Sequence, residues 1–154
     1  MGQMRRWCAT VPALAALLMA APGGASATPG AGVDAVTLSD SMADGSHYVA
    51  KLLTIAPGGG TGWHFHPGDV FGAVRSGTLT HYAADCSVDG VYPAGSTITE
   101  RSGPGYVHAG RNEGPDPLVM WVLYVNPVLD PADPAGVPLV VDAADPGCPL
   151  PGSG

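Results

Sequence analysis

Three histidines carry the chemistry that this sequence offers. His64 and His66 lie in Thr61-Gly62-Trp63-His64-Phe65-His66-Pro67-Gly68, and His108 lies in Gly105-Tyr106-Val107-His108-Ala109-Gly110-Arg111-Asn112. Side chains on a strand alternate between faces, so residues 64 and 66 project together on one side, where an imidazole from elsewhere can join them. Neutral imidazoles bind zinc, iron, nickel, copper or manganese at roughly 2.0–2.2 Å, and three of them leave positions open for water or substrate. His64, His66 and His108 are therefore the candidate metal ligands. The expected cofactor is a divalent transition ion (Fe, Mn, Zn, Cu or Ni), and the expected partner is a small-molecule ligand or substrate.

The two segments resemble the paired motifs of the cupin superfamily. Its first motif runs Gly, five residues, His-x-His, three or four residues, Glu, six residues, Gly. Here Gly58 stands six before His64 and Gly77 closes the motif. The second motif, Pro-x-Gly, two residues, His, three residues, Asn, is matched at Gly105, His108 and Asn112, with Gly103 where Pro is usual. The resemblance covers about residues 47 to 126 and implies an all-β, cupin-type double-stranded β-helix, a jelly-roll barrel. One position departs from it. Counting back from Gly77 puts Val70 where the family supplies its carboxylate ligand, and the neighbouring Asp69 takes that role only if the Pro67-Gly68 turn shifts the register by one. A three-His set is similar to that of cupin-type thiol and diketone dioxygenases. The resemblance thus implies a metal-dependent oxidoreductase of the dioxygenase type, with a non-catalytic small-molecule or metal-binding module as the alternative.

The elements that must position these residues are short. Gly (23) and Pro (16) are abundant, but apolar and β-branched runs are spaced between them, the punctuation of an all-β sandwich or barrel. Strands are expected near Ala35–Leu38, Tyr48–Ile55, Gly62–His66, Val70–Arg75, Thr78–Ala83, Ser96–Thr99, Tyr106–Ala109 and Leu118–Val125. Asp89-Gly90 and Ala94-Gly95 mark turns, and Pro57-Gly58-Gly59-Gly60 reads as a loop. Leu118–Val125, apolar at nearly every position, is expected to be buried on both faces.

Residues 1–27 read as a signal peptide. Arg5 and Arg6 precede an apolar stretch over Val11–Ala21, and Ala25-Ser26-Ala27 offers a cleavage site. Residues 28–154 then form a single cupin domain with a Pro-rich C-terminal tail over about 127–154, secreted to an extracellular or periplasmic location. Loss of two arginines makes the formal net charge of −7 more negative still. No basic stripe or second apolar span remains, so neither nucleic acid nor membrane is an expected partner. Cys86 and Cys148 are expected to pair in an oxidising compartment, a bond worth roughly 4 kcal/mol by loop entropy.

Other residues invite weaker readings. His81 shares the parity of Leu79, so the two face the interior together, where an imidazole is either a hydrogen-bonded core residue or an acid–base group. His47, beside Gly45 and Ser46, is expected to be exposed. Asn112 reads as structural, its amide bridging a turn. Trp63 and Phe65 alternate with the ligand pair and face away from it. They are covered either by the tail or by a second subunit, and the latter, a homodimer, is preferred. Tyr106, Met120, Trp121 and Tyr124 are candidates for lining an apolar pocket.

Overall fold

The computed structural model describes residues 30–148. The expected signal peptide, residues 1–27, lies outside them, as do residues 149–154. Ten strands follow in order: β1 (Ala31–Ala43), β2 (Ser46–Gly60), β3 (His64–Phe65), β4 (Asp69–Ser76), β5 (Thr78–Ala83), β6 (Val88–Pro93), β7 (Thr97–Glu100), β8 (His108–Arg111), β9 (Leu118–Pro127) and β10 (Val141–Asp142). Every pairing is antiparallel. One half of the sheet runs β1-β2-β9-β4-β7 and the other β6-β5-β8-β3-β10; they join where Gly60 on β2 pairs with Arg111 on β8. The sheet thus folds back on itself as a double-stranded β-helix, as the residue pattern implied.

Alternation explains the interior. Val49, Leu53 and Ile55 on β2, Val70 and Val74 on β4, and Leu118, Met120 and Val122 on β9 all point inward and form the main core. Ile55 and Leu118 are completely buried, each worth about 1.5–3 kcal/mol of transfer free energy. The outer face of β9 corrects one expectation, because Trp121 is 48% and Leu123 36% exposed. The strand is central in its half-sheet, but among the described residues no second layer covers its outer face. Instead the Arg75 guanidinium lies 4.3 Å over the Trp121 ring. Trp121 therefore lines no part of the interior cavity.

Two further expectations fail for local reasons. Asp89-Gly90 is not a turn but lies inside β6, where the register shifts between His81↔Gly90 and Tyr82↔Val88 and leaves Asp89 as the extra residue. A bulge of this kind re-aims a side chain, and Asp89 is turned toward His81. Pro57–Gly60 likewise belongs to β2. Its pairing with β1 jumps from Val33↔Ile55 to Ala31↔Gly60, and the intervening residues bulge out of register. Gly77, the closing glycine of the first motif, has φ +75°, and a Cβ there would meet Leu118 Cα at 2.8 Å. Both the turn and the close approach to β9 require glycine.

The Pro-rich tail returns to the barrel. Asn126, fully buried, donates to the Val137 and Pro138 carbonyls at 3.0 and 2.9 Å. Val141 and Asp142 pair with Phe65 and His64, and Ala143 N–H donates to the Trp63 carbonyl at 2.8 Å. Cys148 is joined to Cys86 with 5.3 Å between the Cα atoms. The short edge strand β10 therefore adds to β3. This tail covers Trp63, which is only 2% exposed and packs with Tyr82, Ala109 and Cys148. The preferred reading, burial of Trp63 by a second subunit, is corrected to burial by the chain's own tail.

Candidate metal centre

The double-stranded helix brings the three predicted histidines together. His64 on β3 lies directly across from His108 on β8, and His66 follows on the same face. All three are buried, and their ligand nitrogens lie within 4.8 Å of one another. Each ring is oriented from behind by a backbone carbonyl. His64 Nδ1 bonds Gly62 O at 2.9 Å, His66 Nδ1 bonds Leu139 O at 2.7 Å, and His108 Nδ1 bonds Tyr106 O at 2.9 Å. A carbonyl only accepts, so each Nδ1 carries the proton and each Nε2 presents a lone pair to the interior. Metal-binding imidazoles are held in this way, by a second hydrogen bond that fixes tautomer and direction.

The converging atoms then repel unless a cation lies among them. His64 Nε2 and His66 Nε2 are 3.1 Å apart, two lone pairs facing each other. Two nitrogens on one ion at the zinc–imidazole distance stand about 2.9 Å apart at a right angle and about 3.4 Å apart in a tetrahedron, so the observed spacing fits a shared ion. A proton on His64 is a poor substitute. Burial, and next the neighbouring His108, push its pKa down to about 3. His108 Nε2 also has no hydrogen-bond partner although it is buried, and such atoms are costly when left alone.

A carboxylate joins the histidines from a position that the motif does not mark. Glu100, at the end of β7, places Oε2 at 3.1 Å from His66 Nε2 and 3.4 Å from His108 Nε2, with Oε1 at 3.5 Å from His81 Nε2. Burial opposes its charge, but the His108, His66 and His81 rings, in their protonated forms, outweigh burial and hold its pKa well below the usual carboxylate value. Its register is informative. Glu100 is paired with Val70 across β4 and β7, so the carboxylate comes from the residue beside the position where the family places one. Strand parity could have found it, since Glu100 stands two after the inward-facing Ile98. Asp69, the rival candidate, points outward and accepts a hydrogen bond from Ser102 N–H at 2.9 Å.

His81 faces the interior with Leu79, as parity predicted, and its ring stacks on His108 with centroids 4.9 Å apart. Its Nδ1 meets Asp89 Oδ1 at 2.5 Å. Burial disfavours its cation, but Glu100 and Asp89 outweigh burial and raise its pKa. Together His81, Glu100 and His108 form a second group with ligand spacing. It shares His108 with the first group, and the single free nitrogen of His108 can serve only one ion. His47 is corrected from exposed to 5% exposed. It shares the inward parity of Val49, and its Nε2 pairs with Asp40 on β1 at 2.8 Å, far from the cluster in sequence and register. Asn112 is structural, with Nδ2 donating to Ile55 O and Asp116 O at 2.9 and 2.8 Å.

The cluster borders an interior cavity of about 40 Å³ lined by His64, His66, Glu100, Met120, Tyr124 and apolar core residues. Of the expected pocket residues, Met120 and Tyr124 thus take part. The Tyr106 ring lies instead against His108, with centroids 5.0 Å apart.

Comparison with known proteins agrees with this geometry. The family model for the cupin domain matches residues 51–125. No curated protein sequence matches the chain. Among solved structures, an uncharacterised conserved protein with a double-stranded beta-helix domain from Klebsiella pneumoniae is 21% identical with a TM-score of 0.54, covering 72% of this chain and 84% of that one. The polyketide cyclase RemF from Streptomyces resistomycificus is 18% identical, also at 0.54, covering 77% and 90%. At these identities the likeness speaks to the fold. With the family match, the motif histidines and a barrel that brings them together, this chain belongs to the cupin superfamily.

Proposed function

We propose that this chain is a secreted, metal-dependent cupin acting on a small molecule, its ion held by His64, His66 and His108 with Glu100 as an oxygen ligand. The observation that carries this reading is the common tautomer of the three histidines: each Nδ1 is tied to a backbone carbonyl, so three lone pairs converge, with the Glu100 carboxylate beside two of them, at His66 and His108. A divalent transition ion bound there would supply a Lewis acid and, if it is iron, copper or manganese, one-electron redox chemistry. With such a redox-active ion the reaction would be an oxidation of the dioxygenase type. The protein's own part is to exclude water and orient the substrate. Apolar side chains surround the cavity, and Tyr124, whose pKa burial and then Glu100 push up to about 12, offers a protonated hydroxyl beside His66. Secretion is supported by the sequence of residues 1–27 and by the Cys86–Cys148 bond, which is compatible with an extracellular location.

A second reading, a non-catalytic metal-binding module, is favoured by the small size of the inner cavity, about 40 Å³, room for a few water molecules only. Metal analysis of protein from its native host separates the two, together with oxygen-consumption assays on the loaded protein. Zinc with no oxygen uptake selects the binding module, and iron, copper or manganese with oxygen uptake selects the oxidoreductase. His64→Ala/His66→Ala should abolish stoichiometric metal binding, and unchanged stoichiometry would remove the site assignment.

A further inference from the structure

The chain contains one lysine, Lys51, and it stands where lysines are seldom found. On β2 it has the parity of Val49, Leu53 and Ile55, so it emerges on the inner face of the barrel, paired with Thr37 on β1 and Val122 on β9. It is partly buried and forms no ion pair among the described residues.

Lys51 lines a cleft of about 210 Å³ with Val33, Ala35, Leu139 and Val140. This cleft shares Leu53, Thr61, His64 and Tyr124 with the inner cavity, so it forms the outer chamber of the same site. Its walls are otherwise mostly apolar, with Thr61, His64 and Tyr124 as the polar exceptions, and its volume falls below the roughly 300–1,000 Å³ of drug-sized sites. The usual role of such a lysine is to lay its stem along apolar surface with the ammonium in water. Even so, its charge sits on the wall of a chamber that His64 also lines.

We propose that this outer chamber binds a small apolar carboxylate, with the carboxylate on Lys51 and the apolar body along Leu53, Leu139 and Val140. The opposite end of the molecule then reaches His64. This deepens the reading of the barrel as a substrate chamber and rests on it. The alternative anchor for an anion is the ion itself, but Glu100 already places a negative charge beside the histidines and offsets part of that attraction.

Hexanoate and its neutral isostere hexanamide test the proposal, titrated calorimetrically into the metal-loaded and the metal-free protein. Hexanoate should bind about three- to fivefold more tightly than hexanamide in both forms, the scale of one partly shielded ion pair. Lys51→Met, which keeps the stem, should bring the ratio to about one while leaving hexanamide affinity and metal stoichiometry unchanged; Lys51→Gln serves the same purpose should the first variant not fold. Because the chain has a single ε-amine, hexanoate and not hexanamide should also slow acetylation of Lys51, read by peptide mapping. A carboxylate preference that survives in both variants, that appears only with metal bound, or that is absent from the wild type overturns the assignment. Failure of the protein to bind metal would refute the proposed function yet leave the metal-free measurement on Lys51 intact.

Discussion

Exchanging Glu100 and Val70 tests the centre most directly. The two residues are directly paired across β4 and β7, so a carboxylate moved from one to the other stays on the inner face and shifts by about one strand spacing, ~4.8 Å. Glu100→Gln keeps the shape of the side chain and removes its charge. At an effective dielectric of about 20, a dication and a carboxylate roughly 3 Å apart attract by about 11 kcal/mol. Much of this is offset by the cost of taking both charges out of water. Breaking one member of a buried charged pair typically costs about 3–5 kcal/mol, so the variant should bind zinc roughly 10² to 10⁴-fold more weakly. Competition against a chromophoric chelator at fixed pH measures this. The double exchange Val70→Glu/Glu100→Val should recover at least half of the lost free energy, since it restores a carboxylate at the motif position. Glu100→Gln binding zinc within threefold of the wild type would refute the argument and leave a centre of three histidines alone.

Other outcomes follow from the same geometry. Asp69→Ala should leave zinc affinity unchanged in the same competition assay, because that carboxylate faces outward to Ser102 N–H. A loss as complete as that of a histidine variant would make Asp69 a ligand. A free-thiol count on denatured, unreduced protein should find Cys86 and Cys148 unreactive. In the metal-free protein, His64 has a folded pKa of about 3 against an ordinary value of 6.5. Below pH 6.5 the unfolded chain therefore takes up the proton that the folded chain refuses, and this residue's contribution to stability falls as the pH drops from 6.5 toward 3. The loss is about 5 kcal/mol at most. His64→Gln should flatten that part of the acid-unfolding curve measured by urea denaturation; an unchanged slope would mean that His64 is not held neutral.

Much of the barrel was legible because its inward residues repeat at every second position. The His-x-His pair, His108, Asn112 and the inward parity of Leu79 and His81 could be read from spacing. What could not be read depended on which strand lies beside which. Nothing in the first motif indicates that Glu100 is the neighbour of Val70, since that pairing joins residues 30 positions apart. His47 lies next to a glycine and a serine, which suggested exposure, yet alternation from Val49 carries it inward. Trp121 and Leu123 are apolar for packing across an open face, and their composition does not distinguish this from burial. Asp89 was misread because aspartate followed by glycine favours a turn, whereas here the pair occupies a bulge.

The carbonyl behind His66 belongs to Leu139, in a tail fastened to the barrel through Asn126, β10 and the Cys86–Cys148 bond. Ligand geometry and covalent cross-link are therefore thermodynamically coupled. An ion that prefers the ordered His66 ring also prefers the docked tail, and the docked tail keeps Cys148 at Cys86. Reciprocity of coupled equilibria requires that the cross-link raise metal affinity by the same factor by which bound metal favours the cross-link. Reduction should thus weaken binding of the ion, and removal of the ion should make the cysteines easier to reduce. Such a centre is completed from far along its own sequence, and the His66 ring is oriented by a segment more than seventy residues downstream.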